Sequence, residues 1–233
     1  VVRRIHVHHL APGEVQLAPA EAHHARDVLR LAEGTSVELF DDAGQAAAGI
    51  VTSVGPQGMT VRVETVTRGE DGLNLTIAAA VPKGDRADWM VEKLGELGVQ
   101  NFIPLATARS VVLPAGKNKT QRWARLAIES AKQSRRVGVM RIAELTPLDQ
   151  AIRSTAAGWY LSTRADALPI SRQLKQPIPT PALTLFIGPE GGWTNEEITA
   201  FDAARFTDVG LTRTILRVET AAIAAAAMIA CRD

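Results

Sequence analysis

A single cysteine, Cys231, stands in the 233 residues, which excludes an intrachain disulfide and any metal site built on a cysteine cluster. No apolar run is long enough to span a bilayer. The alanine-rich stretch AAIAAAAMIACRD near the C-terminus is too short and follows a charged segment. The opening VVRRIHVHHL lacks the continuous apolar core of a secretory signal. A cytoplasmic protein with no membrane partner and no bound metal is therefore expected. No internal repeat is visible. Apolar and charged fractions of 46% and 22% are those of an ordinary globular protein.

Net charge is +1, which does not advertise a nucleic-acid partner, but its distribution does. Over 117–141 the basic residues are Lys117, Lys119, Arg122, Arg125, Lys132, Arg135, Arg136 and Arg141, against Glu129 alone. Clustering of this kind matters more than the total for a phosphate-binding face. A solvated helix face would normally carry acidic partners at helical spacing, and here they are mostly absent.

The chain changes character near TRGEDG at 67–72. Before it, apolar residues alternate in SVELFD (36–41), AAGIVTSV (47–54) and MTVRVETV (59–66), with turn signals between them. The pattern predicts a small antiparallel β domain. One helix is expected within it over 18–34, ended by Gly34. After residue 72, strands and helices alternate. LNLTIAAAV (73–81), VQNFIPLAT (99–107), GWYLST (158–163), ALTLFI (182–187) and FTDVGL (206–211) read as strands. Helices are predicted over 85–98, with Asp85 as N-cap, and over roughly 119–136. Continuous apolar strands between helices argue for a mostly parallel sheet covered on both faces. A Pro-rich surface connection is expected over 168–182.

Ligands of open α/β sheets bind outside the carboxyl ends of the strands, and two such ends stand out. In LFIGPEGGWTNEEI (185–198) an apolar run stops at Gly188-Pro189-Glu190-Gly191-Gly192, and Thr194 with Glu197 makes a capping box. In LTRTILRVETAA (211–222) a strand end leads to a helix opening at Glu219-Thr220. Neither is a nucleotide loop. The Lys-Ser/Thr of a P-loop and the G-x-G-x-x-G fingerprint are both missing, and Glu190 would repel a phosphate. A ligand with a cationic or neutral polar part suits the loop better. S-adenosylmethionine, with a sulfonium, an ammonium and no phosphate, is such a ligand.

IGPEGGWTNEEI followed by ILRVETA resembles the SPOUT-class RNA methyltransferases, and within them the ribosomal RNA small subunit methyltransferase E family, which makes 3-methyluridine in 16S rRNA. HHARDVLRL (23–31), KGDRADWMVEKLGELGV (83–99), ARSVV (108–112) and ESAKQSRR (129–136) resemble further blocks of that family in the same order. The resemblance implies a PUA-like antiparallel β-barrel over 1–70 that binds RNA. Behind it, over 73–233, it implies an α/β methyltransferase domain whose C-terminal strand, loop and helix form a trefoil knot. It also implies a homodimer acting on 16S rRNA or the small ribosomal subunit. The chain departs from the family where Thr212 and Thr214 replace a usual Gly and Arg.

On this basis Leu161, Ile187, Gly188, Glu190, Gly191, Gly192, Leu211, Ile215 and Leu216 are expected to bind S-adenosylmethionine. Arg217 and Arg136 are the catalytic candidates, since a planar guanidinium can stabilise charge developing on a base. RNA contacts are expected from Arg3, Arg4, His24, Arg30, Lys83, Arg86, Lys93, Arg109 and Arg136. No general base is evident. Two other functions stay open: a SPOUT enzyme acting on a ribose 2′-oxygen or a tRNA base, and a non-catalytic RNA-binding assembly factor.

Overall fold

The computed structural model describes residues 2–56, 58–69, 74–113, 117–178 and 182–232. The expected domain junction at 70–73 lies outside them. The chain divides into two compact units: Val1–Asp71 with Ala131–Val139, and Gly72–Ser130 with Met140–Asp233.

In the first unit the alternating segments form strands, because alternation puts one apolar row on one face. The elements are β1 (Arg3–Val7), β2 (Gly13–Gln16), α1 (Pro19–His23), β3 (Ser36–Asp41), β4 (Gln45–Gly55), β5 (Gly58–Val63) and β6 (Thr67–Arg68). Ile5, Val37, Leu39, Val51, Met59 and Val61 form its core, each at most 1% exposed. The sheet runs β1-β3-β4-β5-β2, with β6 on β4. It is not wholly antiparallel as expected: β1 pairs with β3 in parallel, Ile5 opposite Leu39. The long connection between them, holding β2 and α1, turns the chain back to its starting direction. Among the described residues no ladder joins β1 to β2.

The helix expected over 18–34 is shorter. Pro19 opens α1, and a single π turn over His24–Val28 follows. Arg30, with φ 54°, then closes it, and the Leu31 amide donates to the Ala25 carbonyl at 3.0 Å. Arg30 thus takes the left-handed position after the helix that Gly34 was expected to supply.

The second unit holds β7 (Asn74–Ala80), α2 (Asp85–Glu96), β8 (Asn101–Ala106), α3 (Lys117–Ser134), β9 (Arg141–Ile142), β10 (Thr146–Pro147), α4 (Leu148–Arg153), β11 (Gly158–Leu161), β12 (Leu168–Pro169), α5 (Ile170–Gln173), β13 (Ala182–Ile187), α6 (Asn195–Ala203), β14 (Thr207–Gly210) and α7 (Val218–Ala230). The last residues of α3 belong to the first unit. The strands form one sheet in the order β10-β8-β7-β13-β11-β14-β12, with β9 on β8, and every described pairing is parallel. Burial on both faces explains why these strands read as unbroken apolar runs. On one face Ala78, Tyr160 and Phe186 pack with Phe201 of α6 and Ala151 of α4. On the other, α7 lies along β7 and β13 and packs against α2.

Two local readings need correction. The N-cap of α2 is Gly84 (φ 66°), and Asp85 is the first helical residue, where its charge favours the helix dipole. The connection expected over 168–182 contains β12 and α5, while 179–181 lie outside the described residues.

Candidate active site

Three neighbouring strands of the second unit, β13, β11 and β14, end on the same side because they are parallel. Their carboxyl-end loops enclose a crevice of about 370 Å³. All nine residues expected at the cofactor line it: Leu161, Ile187, Gly188, Glu190, Gly191, Gly192, Leu211, Ile215 and Leu216. Sequence reasoning missed Trp193, Thr163, Arg164, Ile198 and Ala221 as lining residues, and placed Arg109 elsewhere.

The loop after β13 is built around Trp193. Its indole Nε1 donates to the Leu161 carbonyl at 2.8 Å, joining the loop to the end of β11. The ring lies so close to Gly188 that a Cβ there would stand 2.9 Å from Trp193 Cε2. Only glycine lets the backbone pass. The Gly192 amide donates to the Pro189 carbonyl at 2.8 Å, with Gly192 at φ 70°. Such a turn needs a residue free to adopt positive φ. Arg109 Nη1 donates to the Gly191 carbonyl at 2.6 Å and the Trp193 carbonyl at 3.4 Å. Arg109 therefore closes the crevice loop, a different task from the RNA contact expected of it. An aromatic residue directly after two glycines was the one local signal pointing to Trp193.

The capping box forms as expected. The Glu197 amide donates to Thr194 Oγ1 at 3.2 Å, and the Thr194 amide donates to Glu197 Oε2 at 2.8 Å. Glu197 Oε1 also accepts from the Ala108 amide at 2.8 Å. One carboxylate thus starts α6 and fixes the segment that carries Arg109.

The loop after β14 forms the opposite wall. Thr212, Arg213, Thr214, Ile215 and Arg217 are all exposed, and Arg217 is the N-cap of α7. Among the described residues the Arg217 guanidinium has no hydrogen-bond or ion-pair partner. Glu219, in the first turn of α7, is 4% exposed. Its Oε1 lies 3.4 Å from Arg86 Nη1, and its Oε2 has no hydrogen-bond partner among the described residues. Arg86 Nη1 also stands 3.7 Å from Glu190 Oε1. Arg86, expected on RNA, stands between Glu190 of the crevice loop and Glu219 of α7 and keeps part of its side chain exposed.

Other expected residues fall away from the crevice. Arg136 lies in the Ala131–Val139 segment of the first unit and lines neither the crevice nor its neighbour. Burial holds its guanidinium pKa below the ordinary value. The expectation that Arg4 meets RNA is corrected. Its side chain is 3% exposed and donates to Glu38 Oε1 at 3.0 Å and to the carbonyls of Ala131 and Arg136 at 2.9 and 3.0 Å. It is spent inside the first unit. Lys93, also expected on RNA, is part-exposed, and its Nζ donates to Glu92 and Glu96 at 2.8 Å, which raises its pKa. Arg3, His24, Arg30 and Lys83 are exposed.

The basic run is less free than its local pattern suggests. Arg122 Nε meets Asp88 at 2.7 Å, Lys119 lies 3.8 Å from the same carboxylate, and Lys132 meets Glu21 at 2.7 Å. Its acidic partners exist, but on other elements. No helix among the described residues is long and apolar enough to cross a membrane.

Two family models match the chain: one described as an RNA methyltransferase domain over residues 69–230, and one described as an RNA methyltransferase PUA domain over 17–64. The chain is 33% identical over 220 residues to the ribosomal RNA small subunit methyltransferase E of Synechocystis sp., covering 92% of this chain and 72% of that protein. To the protein of the same name from Bacillus subtilis it is 30% identical over 213 residues, covering 86% and 83%. A crystal structure of a ribosomal RNA small subunit methyltransferase E from Neisseria gonorrhoeae bound to S-adenosyl methionine superposes with a TM-score of 0.87 at 28% identity, covering 98% of this chain and 97% of that one.

Proposed function

Since the chain belongs to the ribosomal RNA small subunit methyltransferase E family, we propose that it methylates N3 of one uridine in 16S rRNA, with S-adenosylmethionine as methyl donor. The observation that carries this reading is the crevice at the carboxyl ends of β11, β13 and β14. Its volume of about 370 Å³ is that of a small-molecule site, and its walls fit this donor. Leu161, Ile187, Ile198, Leu211 and Leu216 offer apolar surface, and Gly188, Gly191 and Gly192 leave backbone groups open to a ligand. Its two lining arginines are engaged, Arg109 with the Gly191 carbonyl and Arg164 with Asp166.

When bound, S-adenosylmethionine supplies a methyl group made electrophilic by a sulfonium. The chain's residues must hold the base in line, manage the N3 proton and stabilise charge on the base oxygens. Arg217 is the leading candidate for the last task, because its guanidinium is exposed beside the crevice with no partner among the described residues. Arg136 is the second candidate, within the first unit.

The reading assigns RNA binding to residues 1–70 and methyl transfer to 73–233. Arg3, His24, Arg30 and Lys83, all exposed, are RNA candidates, and so is the part-exposed Arg86 beside the crevice. It further takes β14 and α7 as the knotted part of the fold, a homodimer as the working form and the cytoplasm as its location. The exposed Trp89 on α2 and Ile215, at 47% and 81%, are apolar surface that a second copy would cover.

Transfer of labelled methyl groups to small subunits and to free rRNA, with mapping of the modified base, tests the proposal. Label at uridine N3 is expected. Label on a ribose, or on tRNA alone, contradicts it, and failure to bind S-adenosylmethionine at millimolar concentration would remove the enzyme reading altogether.

A further inference from the structure

Beside the crevice lies a second cleft of about 380 Å³, lined by Arg86, Glu190, Ile215, Leu216 and Arg217. The two clefts share Glu190, Ile215 and Leu216. We infer that the second cleft seats the target base, with Glu190 as the acceptor of its N3 proton and Arg86 and Arg217 as donors to its two carbonyl oxygens. This rests on the methyl-transfer reading above.

Among the described residues the polar side chains of the cleft are two guanidiniums and one carboxylate. The pairing edge of uracil runs carbonyl, N–H, carbonyl, that is, acceptor, donor, acceptor. A set of donor, acceptor and donor is its complement. Cytosine presents an unprotonated N3 and an amino group there, so it would set an acceptor against the carboxylate. Leaving such groups unpaired is how a polar site rejects a close analogue. Ile215 and Leu216 add apolar surface against which a flat ring can rest.

The ionic arrangement keeps these groups available. Arg86 Nη1 lies 3.4 Å from the buried Glu219 Oε1, and its Nε donates to the Lys83 carbonyl at 3.4 Å. Its Nη2 has no partner among the described residues. Removing a charge's partner inside a protein is costly, so buried Glu219 holds Arg86 in place. Glu219 is thus a positioning residue. Glu190 has a side chain 68% exposed, and its contact with Arg86, at 3.7 Å, is longer than a hydrogen bond. Among the described residues it is the one carboxylate common to both clefts, so it borders the donor's place and the base's place together. Arginine cannot act as the base at neutral pH, because it keeps its proton.

The step balances without another reactant. The N3 proton passes to a Glu190 oxygen, and the N3 electron pair forms the new bond to carbon. The electron pair of the breaking carbon–sulfur bond stays on sulfur, which loses its positive charge as the carboxylate loses its negative one.

The test uses the full chain, Glu190→Gln and Glu219→Gln. Calorimetry measures S-adenosylmethionine affinity, and single-turnover methyl transfer to small subunits is followed against pH. Glu190→Gln should bind the donor within about threefold of wild type yet transfer the methyl group about 10²–10⁴-fold more slowly near neutral pH. Its rate should climb with pH where the wild-type rate is flat, as hydroxide replaces the carboxylate. Glu219→Gln should raise KM for the subunit about tenfold with a wild-type pH profile, because it loosens Arg86 and leaves the base intact. A wild-type rate in Glu190→Gln overturns the assignment. So does a rate loss that keeps the wild-type pH profile and matches an equal loss of donor affinity. If the wild-type chain takes up no S-adenosylmethionine, the methyltransferase reading itself falls, and that result is read before any variant is compared.

Discussion

The two loops facing each other across the crevice are built in opposite ways. The loop over 188–194 is tied down at several points along its length. Arg109 holds two of its carbonyls, Trp193 reaches the end of β11, and the Thr194–Glu197 box fixes where α6 starts. The loop over 211–217 has little of this. Its side-chain hydrogen bonds run between Thr212 and Thr214, and Ile215 is 81% exposed. One wall is therefore set before a ligand arrives, and the other leaves ordering to be done on binding. Ordering costs affinity, so that cost should fall on 211–217.

The largest effect should come from removing the key of the fixed wall. Trp193 is 8% exposed, and its ring meets Phe201 edge-on at 4.9 Å between centroids. Trp193→Ala should cost about 3–5 kcal/mol by denaturant titration, because it leaves a cavity and strands the Leu161 carbonyl. A loss under about 1 kcal/mol would mean the indole does not hold the loop. Gly188→Ala comes next. Its Cβ would press on Trp193 at 2.9 Å, so the ring must shift. Overpacking of this kind costs about 1–3 kcal/mol. S-adenosylmethionine should bind about tenfold more weakly, since about 1.4 kcal/mol of strain relieved only by displacing the loop has that effect.

Thr194→Ala should cost about 1 kcal/mol, the usual value of an N-cap side chain, with a corresponding fall in thermal midpoint. This prediction was open to the sequence alone, and the reason is instructive. The apolar run of β13, the glycines and the box at Thr194 and Glu197 all lie within one short segment. Local chemistry was enough to place the loop at a strand end, and parallel strands then brought 161, 187 and 211 to the same side. What could not be read depends on residues far apart in the chain. Arg109 and Gly191 are 82 positions apart, and nothing near either one announces the bond. Arg122 finds Asp88 across 34 positions, so a run that seemed to lack acids is partly neutralised. Arg4 looked like an exposed N-terminal cation, yet β1 carries it into the first unit's interior, where Glu38 and two carbonyls satisfy it. The parallel pairing of β1 with β3 was hidden for the same reason: alternation fixes a strand's faces and says nothing of its direction.

The smallest effect on stability should come from the open wall. Thr212 Oγ1 donates to the Thr214 carbonyl at 2.6 Å, but both residues are exposed, so water can replace the bond. Thr212→Ala should change global stability by less than about 0.5 kcal/mol. Hydrogen exchange should reveal what stability does not. Amides over 211–217 should exchange faster in the variant, while those over 188–194 stay as they were. Adding S-adenosylmethionine to the wild-type chain should protect 211–217 strongly and 188–194 little, because only the former has order left to gain. Equal protection of the two loops would show that both are shaped by the ligand, and the contrast between a built wall and an open one would be lost.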